Sequence, residues 1–292
     1  MEHPDKTASA STAPRVAESA YSKRMDHAYT DDYLRIMGIE HYRLGYFEPD
    51  IAADDLPAAL ERYTEVLLAP LNLGPTSVVL DVGCATGATA SWLVRRYGCT
   101  VYAIDIVEDM VKLAKSRFEL EQISDRAIAT RADAQNLDFK DAMFDAVIGI
   151  ETIYHLPDKG AFFKSAARVL KPGGQIVLSE YLLNAGGPKL GEALIKMILE
   201  SDKIEEESDY RAYLAAAGLS PPSITDRHQQ TVEGTNRAYM TERYRGRLTA
   251  YAHIYFGLLF SLAYRHVLRL WAYMFRRGHV RHVFLYSRKP DT

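Results

Sequence analysis

An apolar run, a carboxylate and several small residues follow one another from residue 78 to 87. The first three residues read as a strand buried on both faces, and Asp81 ends it. Gly83 and Gly87 allow the tight turn with which a backbone approaches a ligand closely. A dinucleotide-binding loop would have its third glycine at position 88, where Ala88 stands. The stretch therefore predicts a cofactor-binding loop that is not of the dinucleotide type.

A second acidic strand end follows about 20 residues after this loop. The segment Cys99–Asp105 is apolar and ends in a carboxylate. A carboxylate at this place can accept hydrogen bonds from both hydroxyls of a ribose. Asp105 is therefore the strongest single candidate for cofactor binding.

Three further segments have the same organisation. The first is closed by Arg131–Ala134, and the second runs over 144–150 and is followed by Glu151. The third runs from Gln175 to Tyr181, after the helix-stopping residues 170–174. Strands that alternate with helices predict a parallel α/β sheet. The helices are predicted near 58–70, 88–97, 108–119 and 159–170.

With these motifs the chain resembles the class I S-adenosylmethionine-dependent methyltransferases, over about residues 60–182 and again near 282–288. The resemblance implies a seven-stranded Rossmann-like sheet, S-adenosylmethionine as cofactor, S-adenosylhomocysteine as its product, and no metal. The family usually has glycine where Ala85 stands. The cofactor-binding residues predicted on this basis are Asp81, Gly83, Cys84, Ala85, Gly87, Asp105, Ile106, Met110, Asp133, Ala134, Glu151 and Tyr46.

The segment 16–58 is rich in tyrosine and precedes the core 59–182. Its stretch His41–Phe47 looks like the family element that folds over the sulfonium end of the cofactor. We therefore predict an N-terminal helical cover, with Tyr21 as a candidate catalytic residue. The alternative is that the tyrosines only pack a helix pair onto the core. The polar residues 1–15 are predicted to form a disordered tail.

The region 183–281 lacks the strand and helix alternation and is predicted to bind substrate as a helical cap. We predict a helix over Ser208–Gly218, a late core strand over 223–231, and a long aromatic helical stretch over Thr235–Arg277. This stretch could cover the core, form a lid over a hydrophobic substrate, or lie on a membrane or a second subunit. The core strand near residues 282–290 then completes the sheet.

Two residues at strand ends are candidates for catalysis. His155 follows the fourth strand and can act as a general base near neutral pH. The alternative is that its side chain only forms a hydrogen bond to the backbone at the start of a helix. Glu180 closes the fifth strand and can stabilise positive charge or bind a substrate donor. Its alternative is a structural ion pair with an arginine.

Composition excludes several classes of function. The chain has 292 residues and a formal net charge of −3, which gives no electrostatic basis for binding nucleic acid. Cys84 and Cys99 are the only cysteines, and we interpret them as free thiols of a cytoplasmic protein. No apolar run reaches the roughly 20 residues of a transmembrane helix. The histidines show no metal-ligand spacing.

The whole chain resembles the branch of the family that contains tocopherol, sterol and terpenoid C-methyltransferases. This implies methylation of an isoprenoid alkene in a hydrophobic natural product. The carbocation that such a methylation leaves can cyclise, and tyrosine rings can stabilise it. The alternatives are O- or N-methylation of an aromatic metabolite with His155 as base, and a non-catalytic cofactor-binding scaffold. Arg243, Arg245 and Arg247 would bind the phosphates of a prenyl diphosphate, or form a solvated helix face. The aromatic helices and the N-terminal cover also allow a homo-oligomer.

Overall fold

The computed structural model describes residues 27–291, apart from 42, 185–198, 200 and 202. The predicted tail 1–15 and Tyr21 lie outside the described residues. The helices are His27–Met37 (α1), Leu56–Leu68 (α2), Ala88–Tyr97 (α3), Glu108–Leu120 (α4), Lys159–Val169 (α5), Glu207–Ala216 (α6), Gly234–Met240 (α7) and Glu242–Arg276 (α8). The strands are Val78–Val82 (β1), Thr100–Asp105 (β2), Ala127–Arg131 (β3), Phe144–Ile150 (β4), Leu170–Leu183 (β5), Ser223–Asp226 (β6) and Val280–Arg288 (β7).

The strands described here form one sheet in the order β3-β2-β1-β4-β5-β7-β6. Neighbouring strands from β3 to β5 are parallel, whereas β7 is antiparallel to both β5 and β6. The order reverses between β1 and β4, which is where open α/β sheets bind ligands beyond the strand ends. This is the Rossmann-like class I methyltransferase fold that the sequence predicted.

Local sequence signals explain where the core helices begin and end. Asp55 and Asp158 cap α2 and α5, because their carboxylates accept the amides of Ala58 and Ala161. Gly98 ends α3 in the left-handed conformation that glycine adopts without penalty. The predicted helices of the core and the helix predicted over Ser208–Gly218 closely match the observed ones.

The strand predicted over 223–231 is wrong in its second half, because β6 ends at Asp226. The Asp226 carboxylate accepts hydrogen bonds from the backbone amide and the ring of His228 at 3.0 and 2.8 Å. Such a local side-chain bond turns the backbone out of an extended ladder. The chain then forms a single wide helical turn over Gln229–Glu233 and enters α7.

The predicted aromatic helical stretch is divided rather than continuous. Thr241 separates α7 from α8, and Gly257 interrupts α8 with φ 82° and ψ 174°, a conformation open only to glycine. The first part of α8 packs on α1, where Tyr33 meets Tyr251 edge to face with ring centroids 5.1 Å apart. The cover and the cap therefore share one apolar cluster.

The three arginines considered as phosphate ligands lie at the start of α8. Arg243 and Arg247 donate hydrogen bonds to the carbonyl oxygens of Asp54 and Met37 at 3.3 and 2.9 Å. These two side chains therefore tie α8 to neighbouring segments of the same chain.

Cys84 and Cys99 are buried free thiols, as predicted. No helix in the described part of the chain is long and apolar enough to cross a membrane.

Candidate active site

The loop after β1 has the backbone geometry that the spacing of its small residues indicates. Gly83 and Gly87 both have positive φ, at 71° and 76°. A Cβ at Gly87 would lie 2.7 Å from the Phe118 ring, so only glycine fits the close approach of this loop to α4. Ala85 also has positive φ, 45°, which is unfavourable for a residue with a Cβ. The glycine of related chains would relieve this strain.

Asp105 holds this loop at the end of β2. Its carboxylate accepts hydrogen bonds from the amides of Ala85 and Val107 at 3.0 and 2.9 Å. Burial raises the pKa of Asp105, and the same amides counteract the rise. An ionised carboxylate offers about four lone pairs, so acceptor capacity remains for a ligand.

A first cavity opens between the β1, β2 and β4 ends, with mostly apolar walls and two carboxylates. It is lined by Val82, Gly83, Ala85, Ile104, Asp105, Ile106, Ala132, Asp133, Ala134, Gln135, Thr152, His155, Leu156 and Pro157. Seven of the predicted site residues, counted in that lining, therefore meet in one place: Gly83, Ala85, Asp105, Ile106, Asp133, Ala134 and His155. Apolar walls with a few polar groups suit a nucleoside.

A second cavity shares Gly83 and Ala85 with the first and contains Arg43 and Asp81. The buried Arg43 Nε and Asp81 Oδ2 have no hydrogen-bond partner among the described residues. A cation donor and a carboxylate acceptor left open in one cavity match the two charges of an amino acid. Because the cavities are contiguous through the loop, their residues fit S-adenosylmethionine, with a nucleoside at one end and an amino acid at the other.

Arg43 was not identified from the sequence, and the structure shows that it is buried. Its guanidinium donates to the Leu60 carbonyl at 3.1 Å and to Thr89 Oγ1 at 3.3 Å, and it also bonds Thr64. It lies over the Tyr63 ring at 5.0 Å. Burial lowers the pKa of Arg43 to about 10, so it stays cationic at neutral pH. The signal available was its position inside the element His41–Phe47.

The surroundings of the second cavity shift the pKa of Asp81, which lines it. Burial raises the pKa of Asp81 to about 7, while Arg43 acts in the opposite direction and Asp105 adds to the rise. His41 lines the same cavity, and burial and Arg43 hold its pKa well below its ordinary value. The imidazole of His41 is therefore neutral at physiological pH.

Glu151 lies at the end of β4 in a strained conformation, with φ 51°. Its carboxylate accepts the Leu44 amide at 3.1 Å and the Tyr181 hydroxyl at 3.3 Å. Burial raises the pKa of Glu151 to about 7. His282 lies 3.8 Å from this carboxylate, but burial lowers the pKa of His282 to about 3, so the pair is not an ion pair at neutral pH.

Beside Glu151 stands a cluster of buried rings contributed by β5, α8 and the 3₁₀ turn Ile153–His155. Tyr181 lies at its centre, with ring centroids 5.2 Å from Tyr154, 5.8 Å from Trp271 and 6.1 Å from Phe275. The Tyr181 ring meets those of Tyr154 and Phe275 edge to face, which is a favourable arrangement of aromatic rings. We call Tyr154, Tyr181, Trp271 and Phe275 the aromatic wall.

Five predicted site residues in the described part of the chain are not among those lining the two cavities: Tyr46, Gly87, Met110, Glu151 and Glu180. Tyr46 is buried and stacks on Phe284, with ring centroids 5.9 Å apart. Met110 is buried in the first turn of α4. Glu180 is completely buried, and its carboxylate accepts the Ile153 amide at 3.1 Å and the Tyr210 hydroxyl at 2.7 Å. Their roles toward ligands stay predictions.

In the part of the chain that the structure describes, no three His, Cys, Asp or Glu side chains come together in a way that could hold a metal ion.

Comparison with known proteins identifies related chains. The methyltransferase domain family matches residues 80–178. The chain is 33% identical over 232 residues to the 27-O-demethylrifamycin SV methyltransferase of Amycolatopsis mediterranei, across 78% of this chain and 83% of that protein. It is 30% identical over 217 residues to the methyltransferase GfsG of Streptomyces halstedii, across 73% and 78% of the two chains.

A solved structure shows the same fold. It is a geranyl diphosphate C-methyltransferase from Streptomyces coelicolor A3(2), in complex with Mg2+, geranyl diphosphate and S-adenosyl-L-homocysteine. The similarity has a TM-score of 0.73 at 17% identity and covers 93% of this chain and 96% of that one.

Replacement of Asp105 by alanine should weaken cofactor binding. The change removes charge-assisted hydrogen bonds to a ribose, which contribute about 1.5–3 kcal/mol. Calorimetric titration should therefore show an affinity for S-adenosylhomocysteine reduced about tenfold or more. The affinity for methylthioadenosine, which has the ribose but no amino acid, should fall in parallel. Equal affinities in the variant and the native protein would contradict the assignment.

Arg43→Lys should weaken binding of the amino-acid end of the ligand and leave binding of the nucleoside end unchanged. Lysine keeps the charge but loses the planar fork of donors, so affinity for S-adenosylhomocysteine should fall about tenfold. Methylthioadenosine lacks the carboxylate and should bind within about twofold of the native protein. The same titrations on Asp105→Ala serve as the control. Equal losses for both ligands would show that Arg43 only supports the fold.

The stability of the ligand-free protein should fall as pH rises. The pKa of Asp81 and Glu151 is raised to about 7 and that of Glu180 to about 8, from 3.8 and 4.5 in unfolded chains. The folded state therefore holds protons that the unfolded chain has released, and this contribution is complete below about pH 4 and lost by about pH 8. Chemical denaturation at about pH 5 and 8 should show a loss of roughly 1 kcal/mol or more. Asp81→Asn should make the slope shallower, and a stability that rises with pH would contradict the burial of these groups as acids.

Proposed function

The chain belongs to the class I S-adenosylmethionine-dependent methyltransferases of small molecules, and on this premise we propose that it methylates an isoprenoid carbon of a hydrophobic natural product. Its general activity is methyl transfer to small natural-product molecules. The observation that carries the finer proposal is the aromatic wall beside Glu151. The carbon acceptor and a following cyclisation rest on the arguments below.

The two contiguous cavities would hold the cofactor. Asp105 would bind the ribose, Arg43 the carboxylate and Asp81 the ammonium group of the methionine portion. S-adenosylmethionine supplies a methyl group that is already electrophilic, so the protein's main tasks are to align the acceptor and to exclude water. Ile153 and Tyr154 are buried beside the first cavity and support its wall.

The aromatic wall favours a carbon acceptor. Methylation of an alkene leaves a carbocation, and ring faces stabilise a cation by about 0.5–2 kcal/mol each when the site is desolvated. Tyr181 and Phe275 are buried at 2% and 1% exposure, so this wall excludes water that would quench a cation. Glu151, hydrogen-bonded to Tyr181, adds a carboxylate that would balance positive charge nearby.

A hydroxyl acceptor is the second candidate, and it has its own support. His155 lines the first cavity, where it would act as general base. The relative from Amycolatopsis mediterranei is named as a 27-O-demethylrifamycin SV methyltransferase. An aromatic amine would be methylated in the same way. A non-catalytic cofactor-binding scaffold is the third candidate, and the similarity to methyltransferases weighs against it.

Acceptor trials with His155→Ala separate these candidates. The native protein should methylate prenylated indoles or other prenylated aromatics when incubated with S-adenosylmethionine, with a mass gain of one methylene at a prenyl carbon. Alkene methylation needs no base at the transfer step, so His155→Ala should retain most turnover and alter the product ratio. With a hydroxyl acceptor, the variant should instead lose about 10²–10⁴-fold in turnover.

Mass spectrometry and NMR of the products identify the acceptor atom, and prenyl diphosphates and simple phenols complete the panel. Methylated phenols alone would overturn the carbon-acceptor proposal. No methylated product from any acceptor, together with tight S-adenosylhomocysteine binding, would favour the scaffold.

A further inference from the structure

The 3₁₀ turn Ile153–His155 carries the side chains of Tyr154 and His155, but it is too short to be held by its internal hydrogen bonds. It is three residues long and follows the strained Glu151. Within the turn, the His155 and Leu156 amides donate to the carbonyl oxygens of Thr152 and Ile153, each at 3.0 Å. The orientation of Tyr154 and His155 therefore depends on what holds the remaining backbone groups of the turn.

Side chains from three other places hold those groups. Glu180 of β5 accepts the Ile153 amide at 3.1 Å. Ser201 donates to the Tyr154 carbonyl at 2.6 Å, and Lys159 of α5 donates to the Leu156 carbonyl at 3.0 Å. Ile153, Tyr154 and Leu156 are thus each held by a side chain from a different segment of the chain.

Two of these side chains, Glu180 and Lys159, are themselves held by buried polar groups. Tyr210 donates to Glu180 at 2.7 Å. Lys159 Nζ lies 3.0 Å from Glu205 Oε2, and both side chains are only 2% exposed. Removing ions from water to this degree is costly, and such pairs persist where they fix one arrangement among several.

The assembly also reaches the acceptor side of the site. Ser201 and Glu205 belong to the segment that follows β5, and the Glu205 carbonyl accepts the Leu183 amide at 2.9 Å. Leu199 and Ile204 of this segment pack in the same apolar cluster as the aromatic wall. One segment therefore contacts both the aromatic wall and the backbone of the turn that carries His155.

From this arrangement we propose that Ser201, supported by Glu180 and Lys159, is a positioning residue for Tyr154 and His155. It sets the orientation of the turn at the junction between the cofactor cavity and the acceptor, and touches neither ligand itself. The proposal rests on the proposed function only in that His155 and Tyr154 face the reacting groups. Glu180 accordingly acts through the turn, in place of the direct role toward substrate that its strand-end position suggested.

Ser201→Ala and a matched control, Ser287→Ala, test the proposal. Ser287 has the same exposure of 6% and donates to the Ser220 carbonyl at the same 2.6 Å, but lies near the end of β7 far along the strand from Glu180. Each variant loses one buried serine hydroxyl, and the two should show similar falls in melting temperature. The Ser201 hydroxyl also lies 3.0 Å from the Lys203 carbonyl oxygen. Only Ser201→Ala should lose about tenfold or more in kcat with a hydroxyl acceptor, which His155 would deprotonate, because small misplacements at a reacting centre have such effects. With an alkene acceptor it should instead alter the product ratio, as expected for His155→Ala. Ser201→Thr keeps the hydroxyl group, so its kcat should be close to that of the native protein.

A second measurement does not need an acceptor. The 13Cε1 resonance of His155, assigned by its absence in His155→Gln, should shift in Ser201→Ala and remain in place in Ser287→Ala, in the S-adenosylhomocysteine complex. An unmoved resonance with unchanged kcat would overturn the positioning role. If the native protein methylates no acceptor tested, the resonance still decides, so failure of the proposed function remains distinguishable. Should Ser201→Ala not fold, Glu180→Gln takes its place with the same readouts, because glutamine keeps the volume.

Discussion

Carboxyl groups buried side by side at the ends of adjacent strands are the constraint on which this site depends. A carboxylate loses much of its hydration when buried and must find hydrogen-bond donors or stay protonated. Asp105 is satisfied by loop amides, Glu151 by a cover amide and a tyrosine hydroxyl, and Glu180 by a turn amide and a second hydroxyl. The loop, cover, turn and cap are thus each anchored to an acid, whereas Asp81 Oδ2 has no hydrogen-bond partner among the described residues.

The acids also explain how segments distant in the sequence build one site. Glu151 accepts the amide of Leu44, which immediately follows Arg43, so the same contact that satisfies the acid brings the guanidinium beside the cofactor loop. Arg43 is then held by carbonyl and hydroxyl groups of α2 and α3 and over the Tyr63 ring. The cover therefore contributes a charged ligand-binding group as well as an apolar surface.

Local patterns in the sequence predicted the core well, because buried parallel strands and capped helices leave signals within a few residues. The strand-end acids Asp81 and Asp105 follow from such signals. Contacts between distant residues do not: nothing near Arg43 or Ser201 in the sequence indicates which carbonyl each will meet. The strand predicted to reach residue 231 failed for a local reason, since the carboxylate of Asp226 competes for the amide that a ladder would use.

The position of β7 has a consequence for how the protein reaches its active form. This strand lies between β5 and β6 in the sheet, yet it is synthesised after the whole cap. Its residue His282 fills the space between Tyr63 and Tyr181 under the site. During synthesis, β5 therefore leaves the ribosome long before its antiparallel neighbour exists, with an unpaired apolar edge of the kind that invites aggregation. A chain cut before residue 280 would keep β2, β1 and β4 around the cofactor loop, but it would lose the strand that pairs with β5 and β6.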